Sequence, residues 1–174
     1  MKSYSLVARC FHWLTAILVL AAFLLSAGGP EALVFGPDNK GLLTLHESLG
    51  LAVFALTALR LGYRRWAPPP APAAMPEWMH RAAALTHFLL YFLLALLPLA
   101  AIFGSWMEGH ALSFYFGDIA SPWAASPALG ASALAAHKLA GDAIMWLAGL
   151  HSAAALYHHF ILKDGVLRSM LVER

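Results

Sequence analysis

Four long apolar runs constrain this chain more than anything else in it. They extend from Cys10 to Gly29, from Gly41 to about Tyr63, from Ala82 to Met107, and from Ala131 to Leu162. The first carries no formally charged side chain, and the last is broken only by Lys138 and Asp142. Each meets or exceeds the roughly 20 residues a helix needs to cross a hydrocarbon core of about 30 Å. Of the 174 residues, 61% are hydrophobic and only 11% charged. A soluble domain carries about 25% charged residues, and a globule this small has too much surface to hide such an apolar excess. Strands isolated in lipid would leave backbone groups unpaired, so the runs are expected as helices. The expected fold is all-α integral membrane. It is a single-domain four-transmembrane-helix bundle with helices over about 8–29, 41–63, 82–107 and 131–162.

Lys2 and Arg9 before the first run, and Ser26-Ala27-Gly28-Gly29 at its end, also suit a cleavable secretory signal. The apolar stretch is long for one, and three further spans need a membrane regardless. Between the runs lie Pro30–Lys40, Arg64–Arg81 and Glu108–Gly130. The middle linker holds Pro68, Pro69, Pro70, Pro72 and Pro76 and is expected to be extended.

The basic residues orient the bundle. Lys2, Arg9, Arg60, Arg64, Arg65, Arg81, Lys163, Arg168 and Arg174 fall on the side of both termini and the middle linker; Lys40 and Lys138 fall on the other. The positive-inside rule then puts both termini in the cytoplasm. The tail after Lys163, with Val166, Leu167, Met170 and Leu171 beside Arg168 and Arg174, is expected as a short amphipathic helix on the inner surface. No basic stripe exists outside these membrane flanks, which argues against nucleic-acid binding.

Nine histidines are many for so apolar a chain. Ionisable residues inside spans are costly and point to function. With the first helix running outward and the second and fourth inward, His12 and His151 share the cytoplasmic level, while His46 and His137 share the periplasmic one. His137 and His151 are 14 residues apart. That is about 40° short of four turns with a rise of about 21 Å, so both leave one helix face in different leaflets. Two imidazoles opposed at each level suit a b-type haem held edge-on between facing helices. Gly50 and Gly141, each four residues after a candidate ligand, leave room beside His46 and His137 for the macrocycle. The bundle is thus expected to enclose two non-covalent b-type haems, with His12, His151, His46 and His137 as iron axial ligands. A lone cysteine, Cys10, excludes both an intramolecular disulfide and the two-cysteine attachment of a c-type haem.

Two other readings compete. Each histidine alone is a polar residue that can simply hydrogen-bond a neighbouring helix. A zinc site would need a third or fourth ligand at one level, for which Glu47 and Asp142 are candidates only on the periplasmic side. His158, seven residues after His151, continues its stripe towards the cytoplasm, and His87 lies near the cytoplasmic end of the third helix. Either is a candidate contact for a haem propionate or a quinone carbonyl, and either also suits a headgroup-facing role, as does His159. His80 and His110 fall in linkers and read as solvated. Trp13, Trp66, Trp78, Trp106, Trp123 and Tyr63 read as an aromatic belt. Pro98 is expected to kink the third helix, Cys10 to pack at the interface, and Gly28-Gly29-Pro30 to end the first helix.

His12-Trp13, His46 with Gly50, and His87 with Tyr91 and Pro98 resemble the bacterial cytochrome b561 family. So does the stretch Gly149-Leu150-His151-Ser152-Ala153-Ala154-Ala155-Leu156-Tyr157-His158-His159-Phe160, followed by Lys163-Asp164. The likeness spans nearly the whole chain and is weakest from Glu108 to Gly130. It implies a bacterial inner-membrane protein with two bis-histidine b haems that exchanges electrons with ubiquinone. Superoxide-oxidase-like members of the family imply a superoxide:ubiquinone oxidoreductase. With both axial positions filled, haem has no open site and works as an electron relay. Superoxide would then react at the haem edge near His46 and His137, with ubiquinone near His158 or His87. The periplasmic face carries Glu31, Asp38, Glu47, Glu108, Asp118 and Asp142 against Lys40 and Lys138, a formal balance of −4. That face would suit a basic partner. It motivates the alternative of an electron-transfer subunit serving a periplasmic dehydrogenase or soluble redox protein, with the 108–130 loop as docking surface. A haem-binding sensor or a non-redox membrane scaffold is a third class.

Overall fold

When nearly every side chain in a helix is apolar, polarity no longer marks its inner face, and packing selects it instead. A computed structural model describes residues 3–27, 40–71 and 74–171. Helix α1 spans Leu6–Ala27, α2 Lys40–Trp66, α3 Glu77–Met107 and α4 Pro127–Tyr157. Among the described residues these four are long and apolar enough to cross a membrane. On α4 the large side chains Leu139, Trp146 and Leu150 face outward, 73%, 78% and 67% exposed, while Ile144 turns inward at 3%. Apolar bulk on the outside is what a bilayer solvates.

The backbone outruns the hydropathy at several ends. Helix α3 begins at Glu77 behind Pro76, so His80 lies in its first turns rather than in a linker. Helix α4 begins with Pro127 at its first position, where a proline's fixed φ is already helical. Helix α2 continues through Arg64 and Arg65, cations that favour a helix C-terminus. The expected end of the first helix at Gly28-Gly29-Pro30 lies outside the described residues.

Two further expectations are corrected. The fourth helix does not stay α-helical to Leu162: residues His158–Leu162 form a wider π-helical turn, closed by Lys163 in the left-handed region at φ 53°. The tail is not an amphipathic helix. It forms a 3-10 turn, Arg168–Met170, folded back on the start of α1. Tyr4 N–H donates to the Ser169 carbonyl at 3.1 Å, Trp13 Nε1–H to the Met170 carbonyl at 2.9 Å, and the Arg9 guanidinium to the Leu171 carbonyl. These bonds satisfy backbone groups that a surface helix of so few residues would leave to water.

The 108–130 loop also contains structure that the sequence reading left out. Strands β1 (Leu112–Phe114) and β2 (Gly117–Ile119) pair antiparallel, Leu112 opposite Ile119 and Phe114 opposite Gly117. The reversal needs the positive φ of Gly117, 145°. Leu112 is buried against the bundle, and the Trp106 indole donates to the Ile119 carbonyl at 3.1 Å.

The most extensive helix contact is between α3 and α4, where glycines let the backbones approach. A Cβ on Gly130 would fall 2.8 Å from the Glu108 backbone nitrogen and 3.0 Å from the Gly104 carbonyl. Neither backbone atom can step aside as a side chain can. Gly130→Val is therefore expected to destabilise the bundle by about 1–3 kcal/mol, the usual cost of overpacking. A lowered midpoint of thermal unfolding in detergent checks this, and an unchanged midpoint would contradict the crossing.

Candidate functional site

Val53, Leu94 and Ile144 form the buried core, with Leu18, Val19, Leu90 and Leu97 packed around them. Val53 lies seven residues after His46, and Ile144 midway between His137 and His151. The apolar layer thus sits between two polar levels.

At the hairpin end, His46 of α2 and His137 of α4 meet with ring centres 6.1 Å apart and planes at 82°. The Nδ1 of His46 is 3.1 Å from the Ala22 carbonyl of α1, and that of His137 is 2.8 Å from the Leu97 carbonyl of α3. A carbonyl oxygen only accepts, so both rings donate from Nδ1 and keep a lone pair on Nε2. Backbone tethering of one ring nitrogen is how a protein orients a metal-binding imidazole. Two nitrogens on opposite sides of one iron, each about 2 Å from it, put their ring centres about 6 Å apart. The observed spacing fits.

The same histidines open on a cavity lined by all four helices and by Leu112 of the hairpin. Gly50 and Gly141 line it. A Cβ added to Gly50 would meet nothing within 4 Å, and one on Gly141 only the Leu97 Cδ2 at 3.9 Å. The donor set and the missing side chains fit a flat iron porphyrin. The proposed zinc ligands behave otherwise. The Glu47 carboxylate accepts the Ser113 N–H at 2.6 Å, holding the hairpin over the cavity, and Asp142 is exposed. Among the described residues no three His, Cys, Asp or Glu side chains converge on one point.

At the other end, His12 of α1 and His151 of α4 stand 6.4 Å apart between ring centres, again consistent with a shared iron. His87 of α3 is nearer to His151, at 5.2 Å, too close for iron between them. His12 is thus the partner that leaves room. Its Nδ1 faces Arg60 Nη2 at 3.4 Å. The Arg60 and Arg64 guanidinium carbons lie 5.3 and 5.9 Å from the centre of the Tyr91 ring.

His158 makes its hydrogen bond elsewhere. Its Nδ1 donates to Asp164, whose other oxygen accepts the Val166 N–H at 3.0 Å. Burial alone would push the Asp164 carboxyl up. The Val166 amide and the His158 imidazole outweigh it and hold the group below the usual carboxylate range. His159 packs on Phe160, and exposed His110 lies 3.8 Å from Glu108. Cys10 is exposed on α1 rather than packed. Sequence reasoning named Asp164 only within the family-like stretch and missed its contact with His158, which the backbone reversal at Lys163 brings about. It also took Arg60 for a topology signal alone, although Arg60 follows His46 by the same 14 residues that separate His137 from His151.

A family model described as prokaryotic cytochrome b561 matches residues 3–172. The chain is 32% identical to cytochrome b561 homolog 2 of Escherichia coli, covering 98% of this chain and 92% of that one. It is 35% identical to cytochrome b562 of Cereibacter sphaeroides, covering 98% and 96%. It is 29% identical to a Yersinia pestis protein named probable superoxide oxidase CybB, covering 99% and 98%.

Proposed function

Since the chain belongs to the prokaryotic cytochrome b561 family, membrane proteins that hold b-type haem and carry electrons across the bilayer, we propose that it works as one unit with two haems between cytoplasmic termini and a periplasmic hairpin. His46 and His137 hold the periplasmic-side haem, His12 and His151 the cytoplasmic-side one. We further propose that it is a superoxide:ubiquinone oxidoreductase of the bacterial inner membrane. The two-haem reading is supported most by the pair of histidine couples at separate levels, each spaced for one iron, and the superoxide:ubiquinone activity by the 29% identity to the protein named probable superoxide oxidase.

When bound between two imidazoles, haem supplies reversible one-electron chemistry without an open iron site. The protein does the rest. The carbonyls of Ala22 and Leu97 fix the periplasmic-side rings, Leu112 and the Glu47-tethered hairpin cover the cavity, and the Val53–Leu94–Ile144 layer keeps water from the space between the levels. Superoxide gives up one electron and leaves as dioxygen. Two such electrons and two protons convert ubiquinone to ubiquinol. His158, held by Asp164, and His87, beside His151, are the candidate quinone contacts.

The purified protein alone is expected to be reduced rapidly by superoxide and then to reduce ubiquinone. His158→Ala should keep both haems while slowing quinone reduction severalfold. Unchanged quinone kinetics would remove that contact. A second reading has its own support in the formal −4 balance of the periplasmic face: an electron-transfer subunit that docks a basic periplasmic dehydrogenase or soluble redox protein. A protein that stays oxidised in superoxide, yet co-purifies with a larger periplasmic flavin or metal subunit, would decide for this second reading.

A further inference from the structure

Arg60 is a cation inside a membrane span, two turns from the end of α2. Among the described residues no carboxylate lies within ion-pair distance of it. Its partners are an imidazole nitrogen and the face of Tyr91. Charges at such depth pair or serve a function.

The contact with His12 is informative because it differs from those at the hairpin end. There, both Nδ1 atoms donate to carbonyls, as rings coordinating through Nε2 must. At His12 the neighbour of Nδ1 is a donor, and a guanidinium has no acceptor to offer. A His12 that coordinates through Nε2 carries hydrogen on Nδ1, and Arg60 must then turn elsewhere. It is already in place: 14 residues after His46, it occupies on α2 the position that His151 occupies on α4. Helix geometry brings it to the cytoplasmic-side level on the face His46 presents to the other. Arg64 shares the Tyr91 ring and lies one turn further out.

We propose that Arg60 is the anchor for a carboxylate of the cytoplasmic-side haem, exchanging its contact with His12 Nδ1 for that propionate when the haem binds. This rests on the two-haem reading above. A planar, permanently charged guanidinium grips a carboxylate through two parallel bonds, and Tyr91 stacks against its face to hold the plane. A cation beside that haem also favours its reduced form, so Arg60 biases electrons towards the cytoplasmic side.

The test is a redox titration of the purified haem-loaded protein, followed optically, for wild type, Arg60→Gln and Arg60→Lys. Arg60→Gln should lower the midpoint potential of the cytoplasmic-side haem alone, or release that haem and leave about one per chain. Arg60→Lys should recover most of the haem content and much of the potential. Both haems retained in Arg60→Gln with neither potential moved, or a shift confined to the periplasmic-side haem, would overturn the proposal. An equal shift in wild type on changing anionic for neutral lipid, absent in Arg60→Gln, would overturn it in favour of a lipid phosphate as the anion. Failure of the underlying reading is distinguishable: His151→Ala would then leave the spectrum and haem content of the wild type unchanged.

Discussion

Purified His137→Ala is expected to carry about one haem per chain in place of about two, with the cytoplasmic-side haem spectrally intact. The argument is geometric. His46 and His137 come from different helices, and each is tethered through Nδ1 to a third and a fourth, so the couple is assembled by the whole bundle. Removing either imidazole would leave an alanine facing the remaining one across an apolar cavity, where the other polar side chains among the described lining residues are Glu47, committed to the Ser113 N–H, and Ser26, which donates to the Phe23 carbonyl. His46→Ala should therefore give the same ratio, and the double variant should be no worse than either, since residues that act as one unit are not additive. The Val53–Leu94–Ile144 layer insulates the other level from the change. Haem-to-protein ratios of the three variants check this. Two haems in either single variant would refute the pairing.

The second large effect is expected from His151→Ala. This ring stands between His12 and His87, so its loss empties the cytoplasmic-side level of its central ligand. Along α4 the two levels differ by a rise of about 21 Å, and the buried cluster packed between them is the apolar Val53, Leu94 and Ile144. Without the second relay, reduction of ubiquinone should fall by at least about 100-fold, equivalent to about 2.7 kcal/mol in barrier. The remaining haem should still be reduced by the donor, because its own couple is untouched. His87→Ala should keep both haems, since its spacing from His151 is too short to bridge an iron. Stopped-flow traces at the haem band, with quinol formation measured in parallel, separate these outcomes. Quinone reduction at the wild-type rate in His151→Ala would exclude the cytoplasmic-side relay.

Much of this was legible in the residues because the membrane restricts the answers. Span lengths and the distribution of basic residues fixed expected depths, and a 14-residue interval on one helix selected one face. The structure then brings together His12 with His151 and His46 with His137, the couples those depths imply. Other parts were hidden for physical reasons. In helices apolar on every side, nothing in the sequence separates Ile144 from Leu139, and only packing decides which is buried. Strands of three residues inside a connection give too few alternations to register, although Phe114-Tyr115-Phe116-Gly117 ends in the glycine that the hairpin turn requires. The tail reads as amphipathic, yet its backbone finds partners on α1 and stops being a helix. Arg60 was visible but counted only as a charge near a membrane edge.

The most direct test of the central claim is the haem-to-protein ratio of the purified wild-type chain, taken with the optical spectrum of its reduced form. The account predicts about two b-type haems per chain, each removable by changing one member of its histidine couple. A colourless protein from haem-replete cells, or a haem content indifferent to all four histidines, would contradict it.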